Sequence, residues 1–475
     1  MNNHAAASGS GPRDLALHRP AVEAVIWGMP AVNYQLMYEA SARAGGPGDN
    51  QIVYWPGLLD WTNQTLTPNP DVIYVMPFFT TKDVGPIILE VPPANGGTLN
   101  GSIMNFWQAA IEDVGPAGID EGRGGKCLIL PPYFVGEIPD GYIPLRSDTY
   151  QGYGLIRSVL RGGSEADVVE AIEYAKQIRL YPLSQADEPP ETAWVDASQG
   201  PFDAAIPYDL RFFEALDKII QAEPWLQRDR IMIDYLRTIG IENGKPFEPD
   251  AKTQQVLTSA IAEAHTWIDA EYEATFHAFN EDQHWALPAS PEMLAAIESF
   301  FEQPEAYPVD ARGVTYSFAF FSARHMGKGQ FYLMTLVDSD GQPLEGDTSY
   351  RLRVPPGAPV TQYWSATVYN RDTHTLITNI SRSGRSSQSP GLMVNEDGFV
   401  DLFFGPTAPD GQEANWTPTD PEGRFEVLFR FYGPTPALFD KTWQLPDLEK
   451  VSGSRRRRMR VKQPPRPRRV RRKHR

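Results

Sequence analysis

Between Thr361 and Tyr432 the chain alternates, and that period of two limits its folding options more than any other stretch. In the run Thr361–Tyr369, Trp364, Ala366 and Val368 fall on one side of an extended backbone, and Tyr363, Ser365, Thr367 and Tyr369 fall on the other. Phe425, Val427, Phe429 and Phe431 repeat the apolar register, with Glu426, Arg430 and Tyr432 opposite them. Alternation of this kind predicts a β-sheet with one dry face and one face of hydroxyls, aromatics and charge. Arg430, if buried there, needs a partner: Glu426 on its own strand or a residue on a neighbouring one.

The rest of the chain reads as β, then helical, then β. After a polar start (1–18) expected to be disordered, Pro20 suits the first turn of a helix running towards Arg43, with Pro30 interrupting it. Short strands follow. Val72, Tyr74, Met76 and Phe78 share a face of the first, and others are expected at Ile87–Val91, Ile103–Ala109, Lys126–Leu130 and Tyr150–Leu160. Ser164 with Asp167 three residues on reads as a capping box, opening a helix to about Leu180. Helices are predicted over 208–222, 228–239, 250–279 and 291–302, the third capped by Asp250. Strands are expected to resume from Val314, with turns at Asp338–Gly341 and Asp397–Gly398. The 39 glycines and 43 prolines favour this many short elements over long bundles. The predicted fold class is α+β, mainly β, with two jelly-roll-like β-sandwich domains bridged by helices. The divisions are 1–19 (disordered), 20–186 (helix plus β-sandwich), 187–310 (linker and helices), 311–452 (β-sandwich) and 453–475 (basic disordered tail).

Charge narrows the partners. Thirteen of the 43 Lys and Arg lie in 455–475, which has no Asp or Glu, so the preceding 454 residues set 30 basic against 60 acidic side chains. So acidic a body opposes nucleic acid or anionic membrane through any extended surface, whereas the tail reads as a tether to polyanions, a solvated run, a segment docked on the acidic body or a reading-frame artefact. No apolar stretch reaches the 18 residues of a membrane span and no leader is visible, so a cytoplasmic protein is expected. A misassigned start would make it periplasmic or secreted. The single cysteine, Cys127, rules out an intrachain disulfide. A homo-oligomer is compatible with all of this.

Familiar chemical motifs are incomplete. Gly122-Arg-Gly-Gly-Lys126 lacks the earlier glycine and following Ser/Thr of a phosphate loop and reads as a hairpin. The serines of 381–389 have no Gly-x-Ser-x-Gly elbow, although Arg382 and Arg385 among them suit a carboxylate or phosphate. His277, Glu281 and His284 have helical spacing at a helix end, where a solvated face is the ordinary outcome. Asn415-Trp416 reads as a structural corner.

Two stretches resemble known families. Pro68-Asn-Pro-Asp-Val-Ile-Tyr74, Ile87–Pro92, Arg146-Ser-Asp-Thr149 and Arg157 resemble the bacterial domain-of-unknown-function family numbered 1254. Tyr363–Tyr369, the Asn395–Gly398 hairpin, Asn415-Trp-Thr-Pro418, Arg430–Pro434 and Trp443-Gln-Leu-Pro446 resemble its usual partner, numbered 1214. The resemblance implies twin jelly-roll-like domains and brings no settled activity; Val72 stands where the family commonly has Thr.

Polar residues at strand ends in two β domains that could face each other suggest one shared pocket. The expected function is non-redox, hydrolytic chemistry on a small polar or anionic molecule, with Asp71 as general base and Tyr74 as acid. Asn69, Arg146, Arg157, Trp364, Ser365, Asn379, Arg382 and Arg430 are the expected substrate-binding residues. No cofactor or metal site is predicted, and a carboxylate-held divalent ion stays open. The alternative is a small-molecule or carbohydrate-binding protein without catalysis.

Overall fold

A strand buried on both faces sets the architecture of the first half. All nine residues of Val72–Thr80 are buried, which requires a layer on each side of its sheet. In the computed structural model, which describes residues 11–45, 50–320, 322–325, 327 and 329–451, that sheet has six strands. Their order is Trp194–Asp196, Gln51–Tyr54, Val72–Thr80, Gln151–Val159, Thr98–Asn105 and Ala110–Val114. Val75, Ile103 and Ile156 pack against Leu89, Ile129 and Leu180 of a second sheet, built from Arg179–Pro182, Ile87–Val91, Gly125–Leu130 and Ile143–Arg146. Tyr74, Met76 and Phe78 share the opposite face, as the alternation predicts, and meet the helix Pro12–Arg43. The Tyr34 ring of that helix lies 6.2 Å from Phe78 and 5.8 Å from Tyr153.

The helix Pro12–Arg43 is also the hub of the helical layer. Leu210–Ala222, Arg230–Thr238, Ala251–Thr275 and Val309–Phe318 all pack on it. It starts at Pro12, where a disordered start was expected, and it runs through both Pro20 and Pro30. Pro30 has no N–H, so the Ile26 carbonyl one turn back loses its helical donor. That carbonyl faces Gly313, where an added Cβ would stand 2.7 Å from it. Gly313 belongs to the helix Val309–Phe318, which corrects the expectation of strand from Val314. Its β-branched and aromatic residues suit a strand, but they are buried between helices, and tertiary packing overrides propensity. Gly313→Ala should lower stability by about 1–3 kcal/mol through overpacking, despite the better helix propensity of alanine. A urea midpoint unchanged or raised would contradict this close approach.

The second half contains two four-stranded sheets. One runs Gln330–Thr335, Phe425–Tyr432, Trp364–Asn370 and Gly384–Ser386; the other runs Trp416–Pro418, Val400–Gly405, Tyr350–Val354 and Glu449–Lys450. Trp364, Ala366, Val368, Val427 and Phe429 meet Tyr350, Leu352 and Phe404 in one core, so the dry face lies where the alternation puts it. Asn415 is the expected corner: its amide bonds the Met393 and Asp401 carbonyls at 2.8 and 3.0 Å. The first ten residues and the basic tail 453–475 lie outside the described residues.

Glu223, next to Leu210–Ala222, ties this layer to the sheet. Its two oxygens accept the Tyr150 and Gln151 backbone N–H groups, each at 2.8 Å, at the start of the strand that carries Arg157. Burial pushes its carboxyl up from 4.5 to about 7, against the pull of those two N–H groups. The native state therefore holds a proton that the unfolded state has released between these values. Its contribution is full below the unfolded value and is lost as pH rises through the folded one, on the order of 3 kcal/mol in all. Stability of wild type minus that of Glu223→Gln should therefore fall from pH 5 to pH 8 in urea titrations. A flat or rising difference would refute the assignment.

Candidate functional site

The two β domains meet on a five-residue wedge, Thr67–Asp71. Thr67 has a left-handed backbone (φ 40°) and its N–H bonds the His374 carbonyl at 2.7 Å. This turn presses Pro68 and Asn69 onto the polar face of the second domain. The Asn69 amide donates to the hydroxyls of Tyr363 and Tyr432, both at 2.9 Å, and its carbonyl oxygen accepts the Asp71 N–H at 3.0 Å. The Tyr369 hydroxyl donates to the Pro68 carbonyl. Burial raises the Tyr363 and Tyr432 phenols well above the ordinary range, so both stay neutral while their oxygens accept from Asn69.

Arg430 completes the contact and is almost fully buried (1% exposed). Its hydrogen bonds go to the Thr367 hydroxyl at 3.0 Å, the Thr67 and Pro68 carbonyls at 2.9 and 3.2 Å, and the Tyr369 hydroxyl. All these acceptors are uncharged, and its Nε is buried without a hydrogen-bond partner. Glu426 is not its partner. Four residues along a strand span ~13 Å, and Glu426 instead accepts from the Tyr272 hydroxyl at 2.6 Å and pairs with His374 Nδ1 at 3.0 Å.

The polar groups do not share one chamber. The wedge separates two cavities. The first, about 190 Å³, has Arg157, Arg430, Tyr74 and Tyr332 in its wall, and elsewhere is lined mainly by apolar groups such as Leu294, Ile297, Phe318 and Leu428. The Tyr74 hydroxyl oxygen accepts the Asn69 N–H at 2.9 Å and Arg157 Nε at 3.5 Å. Asp113 forms another part of the wall and is spoken for: it accepts from the Ser102 hydroxyl at 2.6 Å and from the Arg324 and His325 N–H groups at 3.0 and 2.6 Å. The second cavity, about 310 Å³, lies between Leu58–Trp61, Asp71 and the loop 380–390. Beside it the two domains touch backbone to backbone: a Cβ on Gly163 would stand 1.7 Å from the Gln388 carbonyl.

Tyr74, Arg157 and Arg430 therefore gather at the first cavity and Asp71 and Arg382 at the second, and Asn69 lines neither. Asp71 and Tyr74 do not face a common space, so they cannot act as base and acid on one substrate. Ser365 is fully buried behind the wedge. Trp364 stacks on Phe429 at 5.5 Å in the dry core. Arg146 is exposed on an outer strand of the small sheet, 3.5 Å from the Phe134 carbonyl. Asn379 is an exposed turn residue with φ 61°. Sequence reasoning gave no role to Tyr332, although its position opposite Leu333 and Phe331 on a strand was a usable signal. The helix Ala251–Thr275 ends before His277, and His284 pairs with Asp447 at 2.8 Å. No cluster of three His, Cys, Asp or Glu among the described residues could hold a metal ion, and no described helix is long and apolar enough to cross a membrane.

Residues 50–182 match the protein of unknown function family DUF1254, and 329–436 match the protein of unknown function family DUF1214. The chain thus carries one segment of each family. The DUF1254 segment supplies Asn69, Asp71, Tyr74 and Arg157, and the DUF1214 segment supplies Tyr332, Tyr363, Arg382 and Arg430, so both cavities lie at the junction of the two. Among solved structures, the VPA0106 protein from Vibrio parahaemolyticus is similar over 92% of this chain and 100% of its own, with a TM-score of 0.56 and 17% identity. It shares the fold. An uncharacterized protein from Burkholderia cenocepacia aligns over 92% of this chain and 95% of its own at 11% identity, with a TM-score of 0.40. Comparison with curated proteins gives no match.

Proposed function

We propose that the first cavity binds a small organic anion, with its acidic group at Arg157 and Arg430 and its hydrocarbon part against the apolar wall. The observation that carries this reading is Arg430. A guanidinium cannot shed its charge, and burying it against neutral acceptors costs several kcal/mol that an anionic ligand would offset. Asp71 is the carboxylate whose field reaches it from across the wedge. Tyr74 and Tyr332 offer hydroxyls to the same head group, and a volume of about 190 Å³ suits a compact ligand.

Calorimetry with straight-chain carboxylates from acetate to octanoate tests the reading. Each added methylene should gain up to about 0.8 kcal/mol until the cavity is full, and the matching alcohols should bind far more weakly. Equal affinity for acids and alcohols, or no binding by any acid, would refute it.

One observation favours hydrolysis in the same cavity. The Tyr74 oxygen already takes two donors, so its own proton is available to a leaving group. Water would add to the carbonyl of a short ester, the acyl–oxygen bond would break, and the alcohol would leave with the Tyr74 proton. A proton from the attacking water would restore the phenol, leaving a carboxylate where the guanidiniums stand and releasing one proton to solvent. Tyr74→Phe should then abolish ester turnover while lowering hexanoate affinity by about tenfold, the loss of one hydrogen bond to the carboxylate. A wild-type protein inert towards short esters would remove this second reading.

A further inference from the structure

The second cavity holds groups for which anion binding in the first has no use. Asp71 Oδ2 is shut off from solvent without a hydrogen-bond partner, and so is Arg385 Nε. Arg382 spends one N–H on the Glu413 carbonyl at 3.2 Å, out of the five a guanidinium carries. Burial and the neighbouring Arg382 charge bring the Arg385 guanidinium down to about 10, with Asp71 pulling the other way. Two like charges thus crowd one partly enclosed space, an arrangement that an intervening anion relieves. Asp71 brings the opposite requirement: its carboxyl lines the same cavity and has acceptor capacity beyond the Ser386 and Ser365 hydroxyls, which a ligand hydroxyl can use. Burial raises its carboxyl above the ordinary range, against the pull of Arg430 and of the Ser386 and Ser365 hydroxyls. Trp61 gives the cavity an aromatic wall.

We propose that this cavity is a second ligand site, for a phosphorylated sugar. Its phosphate lies between Arg382 and Arg385, a ring hydroxyl donates to Asp71, and the sugar rests on Trp61. Guanidinium forks match phosphate oxygens in geometry and charge. Both arginines come from one segment of the second domain, Arg385 on its edge strand Gly384–Ser386 and Arg382 just before it, while Asp71 comes from the other domain, so the site forms only where the two families are joined.

Calorimetry on the full chain tests this with glucose 6-phosphate, inorganic phosphate and glucose. Glucose 6-phosphate should bind at least about tenfold more tightly than inorganic phosphate, and glucose more weakly than either. The double variant Arg382→Gln/Arg385→Gln should lose about tenfold or more of the glucose 6-phosphate affinity. Asp71→Asn should weaken glucose 6-phosphate by about tenfold relative to inorganic phosphate, since the amide gives a hydroxyl a poorer acceptor while removing its charge favours any anion. Failure of the wild-type protein to bind glucose 6-phosphate, or equal binding by wild type and the double variant, would overturn the proposal. Hexanoate titrated into the same samples reads the first cavity separately, and the double variant should bind it as wild type does.

Discussion

Arg430→Met should lower carboxylate affinity by about 100-fold while changing the stability of the ligand-free protein by no more than about 1 kcal/mol. The two effects have separate origins. Methionine fills most of the volume and removes a buried charge whose partners are all neutral, and that removal is favourable. Against it stands the loss of a donor to the Thr67 carbonyl and the Thr367 hydroxyl. The Pro68 carbonyl keeps its bond from Tyr369. Each unsatisfied acceptor costs about 1–3 kcal/mol, so the opposing effects are of similar size. Had Arg430 only a structural task, its removal should cost about 3–5 kcal/mol and leave hexanoate affinity as it was. Urea unfolding and calorimetry on one preparation distinguish the two outcomes.

Asn69→Ala should behave in the opposite way, costing about 2–4 kcal/mol of stability. Its side chain bonds two buried phenols of the second domain and the Asp71 N–H of its own turn. Alanine leaves Tyr363 and Tyr432 facing an apolar methyl group, and both are fully enclosed. It also frees the turn that places Asp71 at the second cavity, so glucose 6-phosphate affinity should fall with stability. A loss below about 0.5 kcal/mol would mean that the wedge is not held by these bonds.

The alternating stretches were legible because a strand sorts side chains by parity, and parity survives any later packing. Trp364 and Phe429 belong to the dry core for that reason, and Val72 to Phe78 for the same one. Parity does not reach Asp71, which belongs to the turn before the strand Val72–Thr80, so nothing local showed that Asp71 and Tyr74 face different cavities. Arg430 could be read as a buried arginine needing acceptors, but the acceptors come from Thr67 and Pro68, more than 360 residues away. No local pattern marks such a contact. Arg146 and Asn379 were chosen because functional groups gather at strand ends, yet turn residues gather there too, and Asn379 is one of them. The helix Val309–Phe318 was hidden because its composition suits a strand, and its packing against the helices Pro12–Arg43 and Ala251–Thr275 overrides that preference.

The most direct measurement is a crystal structure of the protein soaked with hexanoate. The carboxylate should lie within hydrogen-bonding distance of the Arg157 and Arg430 guanidiniums, with its chain along Phe318 and Leu428. Hexanoate bound elsewhere with that cavity empty, or a cavity closed by its own side chains, would contradict the central claim.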